Sequence, residues 1–578
     1  MKKLLLTLFI IIALTHPRII CNQSLEHQEV TLKDIFLTRH IQSQEELDNL
    51  NQKCRDLDLA LSFETDAQGN RIAHLDIRGI DFLIPQKLLE QIYNTLSQNN
   101  PYHNMVATVR PLKKDFSICP EEISTIASRL VYCHGALEKL IGSKFPVSKT
   151  PNIAICCSGG GIRATLSTAG FMKGLDDIGA LDTVSYMAGL SGSTWAIGSW
   201  MLDPNNFDLF YGELIERIVS GFFNKSLEQR LQEIMTTLPN IAEYFLKKLI
   251  FKEIPSIIDV YGYCLALTLL DHNLVTADYF SIDLADQQHF LSNRRPFPLY
   301  TAVIPHEDAV HYSWLAFSPF EVSCCELKSA VKTWAYGREF NKGVSVNNAP
   351  PMTLGFLMGL WGSAVSVSFE EVYMMMLDNL EPKSIFAPLK YLAQSTLVGN
   401  MRFFPAEIRN MNYNLTNMPL SNVARTTVVD AGIHFNLPLP PLLHPERDID
   451  IIIICDASTN VLGAPELKRA EEWARENDME FPYINYIGIT DRNFTVFDDG
   501  PDHPEIPIVI YVPMVKNPNY ALNFDPQDFL DATSFMNTFN FNYTKQEALA
   551  VGGLMQQSVH DLKNSLIRVI KRVIARKK

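Results

Sequence analysis

The stretch Asn152-Ile153-Ala154-Ile155-Cys156-Cys157-Ser158-Gly159-Gly160-Gly161-Ile162-Arg163 changes character half-way along. Up to Cys157 it is a short apolar run. Three glycines then interrupt it, and from Ile162 to about Ile178 apolar residues recur at helical spacing. This predicts a strand, a glycine turn and a helix. A second unit follows at once, with Val184 to Ala188 as strand, Gly189-Leu190-Ser191-Gly192-Ser193 as turn, and Thr194 to Met201 opening a helix. Parallel strands need a crossover, most often helical, so two such units in succession predict an α/β fold: a central, mostly parallel sheet flanked by helices. Residues 206–290 are largely helical in pattern, with Leu214, Ile215, Ile218, Leu231 and Ile234 apolar, and read as a helical cap inserted over that core. Strand-like runs return at Thr426 to Val429 and Ile451 to Cys455. Ligand sites in such sheets gather at the carboxyl ends of the strands, where both turns and Asp430 are expected.

At 578 residues the chain exceeds one ordinary core, so one large domain with insertions or two domains are expected. With 47% hydrophobic and 20% charged residues it is globular in composition, and a net charge of −14 argues against a general nucleic-acid partner. Lys2 and Lys3 precede an apolar stretch from Leu4 to Leu14, which reads as an export signal or short hydrophobic leader over residues 1–22. A secreted or extracytoplasmic, peripherally membrane-associated protein is the first expectation, and a cytoplasmic one with membrane association the alternative. Ten cysteines without paired metal spacing suit buried thiols better than disulfides, which sits awkwardly with export. No metal and no cofactor is expected.

Gly189-Leu190-Ser191-Gly192-Ser193 has the outline of a nucleophile elbow, although Ser193 stands where a glycine is usual. By itself, a serine among glycines is ordinary turn chemistry. The glycine run ahead of a helix adds a second element, because consecutive small residues let backbone N–H groups converge and the helix N-terminus supplies positive potential for an oxyanion. Gly160 and Gly161 are the candidate donors, and Arg163 the candidate partner of a substrate phosphate. The same residues also fit the dinucleotide pattern G-x-G-x-x-A, without the acid that pattern needs after its second strand. For the base, Asp430 directly follows the strand Arg425 to Val429, a position where an aspartate is commonly a turn cap. A Ser-Asp-His triad remains open as an alternative, with His434, His444 and His560 all downstream of Asp430.

Taken together in order, Ser158 to Ala164, Ala188 to Trp195, and Asp430-Ala431-Gly432 followed by Phe435-Asn436-Leu437-Pro438 resemble the catalytic domain of the cytosolic, group IV phospholipase A2 family, related to patatin and to fungal lysophospholipases. Weaker echoes are Ser318 to Glu321, Phe356 to Ala364 and Thr538 to Phe541. The resemblance covers roughly residues 115–560. It implies a patatin-like acyl hydrolase in which Ser191 attacks an ester, Asp430 takes its proton without a histidine, Gly160 and Gly161 form the oxyanion hole, and Arg163 steadies the phosphate. It also implies hydrolysis of phospholipids and lysophospholipids, with a mobile lid near residues 366–405 that includes Met374, Met375 and Met376. Ile162 and Ala431 depart from the family's usual residues. The implied partner is a phospholipid membrane surface; no dedicated protein partner is evident.

Along the chain this gives a leader over 1–22, an extension over 23–145 packed on the core, a catalytic domain over 146–565 and a tail over 566–578. In the tail, Leu566, Ile567, Ile570, Val573 and Ile574 alternate with basic residues, which fits either a basic amphipathic helix on anionic lipid or a terminal helix packed on the core. A catalytically silent lipid-binding or host-interaction protein of the same fold is the reading from another functional class.

Overall fold

The computed structural model describes the strands within residues 59–85, residues 100–113 and 118–226, isolated positions between 229 and 275, and most of 256–270, 282–364 and 406–577. The expected leader and the expected lid lie outside the described residues. Two compact units are present. The smaller contains an antiparallel sheet of β1 (Leu59–Thr65), β2 (Arg71–Ile77) and β3 (Ile80–Pro85).

The larger unit holds a 12-stranded mixed sheet. Its elements, in chain order, begin with β4 (Arg110–Pro111), α1 (Pro120–Ile141), β5 (Ile153–Cys157), α2 (Gly161–Asp177), β6 (Tyr186–Leu190), α3 (Gly192–Trp200), α4 (Phe207–Ser220) and α5 (Ile257–Leu269). There follow β7 (Phe297–Pro305), β8 (Tyr312–Phe317), β9 (Glu321–Cys324), β10 (Ser329–Lys332), the small hairpin β11 (Phe340–Asn341) and β12 (Val344–Ser345), and α6 (Leu354–Trp361). The unit closes with β13 (Ala406–Arg409), β14 (Arg425–Asp430), β15 (Ile451–Asp456), α7 (Pro465–Glu476), β16 (Thr495–Phe497), β17 (Ile508–Pro513) and α8 (Lys545–Arg576).

Strands β17, β15, β5, β6 and β7 form the parallel centre. Every residue of β5, β15 and β17 is buried, which is why these strands read as unbroken apolar runs rather than alternating ones. Antiparallel strands extend the sheet on both sides, β16 beyond β17 and β8, β9, β10 and β4 beyond β7. The glycine turn follows β5 and the serine turn follows β6, so both emerge at one carboxyl edge.

The helix α1, which falls inside the expected N-terminal extension, belongs to this larger unit. Buried Arg129 donates from Nε to the Val184 carbonyl at 2.9 Å, and Glu122 pairs with Arg447 at 2.7 Å while accepting the Tyr186 hydroxyl.

The C-terminal stretch is corrected by its surroundings. Residues 566–576 are not a separate lipid-facing tail but the end of α8, a 32-residue helix opened by a capping box between Thr544 and Glu547. Leu566, Val569, Ile570 and Val573 are buried, so its apolar face is already covered. Its basic face is engaged too, with Arg572 and Arg576 each 2.6 Å from Asp498 and Lys577 2.6 Å from Asp450. Among the described residues no helix is long and apolar enough to cross a membrane.

Candidate active site

Strand β7 is the template on which the candidate nucleophile and base meet. Along one edge it pairs in parallel with β6, and Leu190 lies opposite Thr301. Along the same edge, one residue further on, β14 arrives in the opposite direction and Asp430 lies opposite Ala302. The other edge is occupied there by β8. Two strands distant in sequence therefore run head to head, with Ser191 following the last residue of one and Asp430 ending the other.

Ser191 adopts φ +51° and ψ −125°, a backbone conformation that L residues rarely take. The turn is held by the Thr194 backbone N–H, which donates to the Ser191 carbonyl at 2.9 Å, and by the Thr194 hydroxyl donating to the same oxygen. Beside it, a Cβ on Gly192 would overlap the Gly161 carbonyl, and one on Gly159 would come within 2.8 Å of the Ser191 Cβ. The two glycine turns are thus in direct contact. Gly192→Ala is expected to force them apart, costing about 1–3 kcal/mol as an overpacked core does. Both melting temperature and turnover should fall; unchanged values for both would mean the turns have room to separate.

Ser193, the departure from the elbow pattern, has a structural use. Its hydroxyl donates to the Ser158 carbonyl and lies 2.7 Å from the Thr168 hydroxyl, joining the second turn to the first.

The Asp430 carboxylate is 1% exposed. It accepts the Gly432 N–H on Oδ1 at 2.9 Å and the Ala364 N–H on Oδ2 at 3.3 Å, and the Ser191 side chain is near enough to favour its charged form. Burial pushes the carboxyl up to about 6, against the opposing pull of these three groups. It is therefore ionised at neutral pH yet of far higher proton affinity than an ordinary aspartate, which suits a general base.

Gly160 (φ +139°) and Gly161 (φ +61°) both need the glycine-accessible half of φ space. Gly161 opens α2, and neither N–H donates to a protein acceptor among the described residues. Their placement in front of Ser191 is stabilised by Asn436, whose side chain pairs with both backbone groups of Gly159, accepting its N–H at 3.1 Å and donating to its carbonyl at 3.1 Å. A further Asn436 bond reaches Ser458 at 2.7 Å. Sequence reading placed Asn436 only within a motif and assigned it no role.

Arg163 is fully buried and turned inward. Its Nε donates to the Ala457 carbonyl at 2.9 Å, Nη1 to the Met536 carbonyl at 2.6 Å and to Thr538 at 3.2 Å, and Nη2 to Thr459 at 3.0 Å. Burial lowers its pKa to about 10, still cationic at neutral pH. Instead of reaching outward as a free fork, the guanidinium ties the glycine turn to the loops that follow β15 and precede α8.

The histidines are elsewhere. His434 Nδ1 accepts the Trp314 indole N–H at 3.0 Å and its ring stacks on Tyr312, with burial lowering its pKa to about 4. His560 lies 2.9 Å from Asp177 on the surface, and His444 accepts the Glu446 N–H near β15. Among the described residues no histidine bonds to Asp430 or Ser191. His434→Ala is accordingly expected to leave fatty-acid release within about threefold of the wild type; a loss of more than a hundredfold would revive the triad.

A family model described as the lysophospholipase catalytic domain matches residues 153–469, more than half of the chain and inclusive of both turns and Asp430. The chain belongs to the lysophospholipase catalytic domain family. Within it, this lysophospholipase-family chain is 26% identical over 478 residues to cytosolic phospholipase A2 zeta of Homo sapiens, covering 70% of the chain and 54% of that relative. It is 24% identical over 470 residues to cytosolic phospholipase A2 epsilon of Homo sapiens, covering 70% and 52% respectively. The chain thus spans about half the length of the curated relatives it matches. In three dimensions it resembles human GIVD cytosolic phospholipase A2 at a TM-score of 0.66 and 21% identity, over 81% of this chain and 66% of that one. The same human protein in complex with methyl gamma-linolenyl fluorophosphonate aligns at a TM-score of 0.60 and 18% identity, over 90% of this chain and 78% of that one. The mixed, mostly parallel-centred sheet flanked by helices is the fold these structures share with it.

Proposed function

We propose that the chain hydrolyses the acyl esters of phospholipids and lysophospholipids through a Ser191–Asp430 dyad. The observation that carries this reading is a buried carboxylate, its pKa raised to about 6, brought by β14 toward a serine on a strained strand-to-helix turn, with no histidine bonded to either among the described residues. Asp430 takes the Ser191 proton as the serine oxygen attacks the acyl carbonyl. The Gly160 and Gly161 N–H groups stabilise the negative charge that develops on the carbonyl oxygen, assisted by the N-terminus of α2. As the carbonyl re-forms, the proton passes from Asp430 to the departing alcohol, and water then releases the fatty acid from Ser191.

Arg163 contributes fixed positive charge beneath the glycine turn, and it acts on a substrate phosphate through that charge rather than through a free fork, since its nitrogens are bonded to Ala457, Met536, Thr538 and Thr459. The relatives' names carry the word cytosolic, which favours a cytoplasmic, membrane-associated setting over an exported one.

The test is incubation of the full chain with vesicles of a phospholipid carrying a different acyl group at each position, and separately with a lysophospholipid, with the released fatty acids identified. Release from both substrates is expected. Lipid binding without any release would instead support the silent lipid-binding reading.

A further inference from the structure

The dyad reading has no use for Asp456, a fully buried acid at the end of β15. Its Oδ1 accepts the Ser458 N–H at 3.0 Å and the Ser458 hydroxyl at 2.5 Å, and its Oδ2 accepts the Tyr511 hydroxyl at 2.7 Å. With its one hydrogen given to Asp456, the Ser458 oxygen is left as an acceptor, and it takes the Asn436 Nδ2–H at 2.7 Å. That bond settles which way round the Asn436 amide lies. The NH2 group faces Ser458 and the Gly159 carbonyl, which it meets at 3.1 Å, and the amide oxygen faces the Gly159 N–H, also at 3.1 Å. The Asn436 backbone is held too, its N–H donating to Glu466 on α7 at 2.6 Å.

The consequence falls on Gly160. The Gly159 carbonyl and the Gly160 N–H belong to one planar trans peptide and point in opposite directions, so holding the carbonyl toward Asn436 holds the N–H away from it. Glycine stands on both sides of that peptide, Gly160 at φ +139°, and without a Cβ the backbone itself does little to stop the plane from rotating. A hydrogen bond to the carbonyl also draws electrons from the peptide nitrogen and makes its N–H a stronger donor. The Asn436 amide stands beside the nucleophile and the base. A Cβ on Gly159 would come within 2.5 Å of Asn436 Oδ1 and 2.8 Å of the Ser191 Cβ, and one on Gly432 would lie 3.2 Å from both Asn436 Oδ1 and Asp430 Oδ1.

We propose that Asn436, oriented by Asp456 through Ser458, is a positioning residue that sets the plane of the Gly159–Gly160 peptide so that the Gly160 N–H meets the negative charge developing on the acyl carbonyl oxygen. This rests on the reading of Gly160 as an oxyanion donor beside the Ser191–Asp430 dyad. The charge it serves exists only as the tetrahedral species forms, so breaking the chain lowers kcat and leaves KM in place.

Two variants cut the chain at different links. Asn436→Asp keeps the shape and the acceptor for the Gly159 N–H but turns an oxygen toward the Gly159 carbonyl. Ser458→Ala removes the hydroxyl and leaves Asp456 bonded to the residue 458 N–H and to Tyr511, so it carries the test if N436D does not fold. With the 4-nitrophenyl ester of a fatty acid, kcat is expected to fall about 100-fold in N436D and about tenfold in S458A, with KM within about threefold of the wild type. A purely structural role is separated by two inhibitors of the same chain length: a trifluoromethyl ketone, which adds to a serine to give a tetrahedral oxyanion, and an ether, which has no carbonyl. The ketone should weaken in proportion to the loss of kcat/KM in each variant, while the ether binds as in the wild type. An unchanged kcat in either variant, or equal weakening of ketone and ether with a parallel fall in melting temperature, overturns the role of Asn436 and leaves the dyad intact. A wild type that binds the ketone no better than the ether, and whose Ser191 is not labelled by a fluorophosphonate, removes the dyad reading and this inference with it.

Discussion

Ser191→Ala is expected to lower fatty-acid release by about 10⁴-fold or more, the scale seen when a serine nucleophile acting within a concerted site is removed. Among the described residues the neighbouring hydroxyls are committed elsewhere: Ser193 is fully buried and bonded to Ser158 and Thr168, Thr194 to the Ser191 carbonyl, and Ser363 to the Asp430 N–H. The fold should not suffer. Alanine accepts the φ of +51° no worse than serine does, and the backbone bonds that hold the turn come from Thr194. The measurement is fatty-acid release from phospholipid vesicles alongside melting temperature and fluorophosphonate labelling. Loss of release with an unchanged melting temperature is the expected pair. Retained turnover in a well-folded S191A protein would falsify the assignment of the nucleophile.

Asp430→Asn should have the second-largest effect, about 10³- to 10⁴-fold on turnover, because an amide accepts no proton from the serine. Its effect on stability runs the other way. The folded-state pKa of about 6 lies above the ordinary aspartate value of 3.8, so the folded protein binds this proton more tightly than the unfolded chain does. The associated stability is fully present below about pH 4 and is lost as pH rises through about 6. At neutral pH the ionised, buried carboxylate costs on the order of 3 kcal/mol. An asparagine there carries no charge to bury, so D430N is expected to melt higher than the wild type at pH 7–8, with the difference shrinking toward pH 4. For the wild type, turnover should rise through an apparent pKa near 6 as the base ionises. A variant that melts lower at every pH, or a rate profile flat from pH 5 to 8, would contradict this account of the base.

The opposing directions of these effects mean that the carboxylate is retained at the expense of stability. Buried charge with no ion pair among the described residues is a poor structural device, since the N–H groups of Gly432 and Ala364 and the nearby Ser191 offset only part of its desolvation. Its presence is accounted for by chemistry that needs a base close to neutrality, in the way perturbed groups gather at functional sites.

Much of this was legible along the chain because it depends on short-range rules. The run Ile153 to Cys157 is wholly apolar because both faces of a central parallel strand are covered, and the glycines after it are needed where φ is positive. Asp430 was found as an acid at a strand end, a weak signal made useful by its company of motifs. The terminal helix shows the limit of periodicity: its apolar stripe was visible, but whether that stripe meets lipid or protein depends on what faces it, and here α2 and the rest of the core do. For Arg163, the sequence could not show that three of its nitrogens are bonded to loops about 300 to 370 residues away. Asn436, Ser363 and Ala364 could not be recognised as parts of one site, because each acts on a backbone group remote in sequence.

The sequence by itself determined the elements: where the chain extends, where it must turn through glycine, and which serine is left on a strained corner. Those follow from steric limits and side-chain spacing over a few residues. Only the tertiary structure decided that the strand ends carrying Ser191 and Asp430 come together, since that depends on two strands sharing one edge of β7 at adjacent registers. It also decided the proton affinity of the carboxylate, because desolvation is a property of the assembled surroundings and no local pattern encodes it.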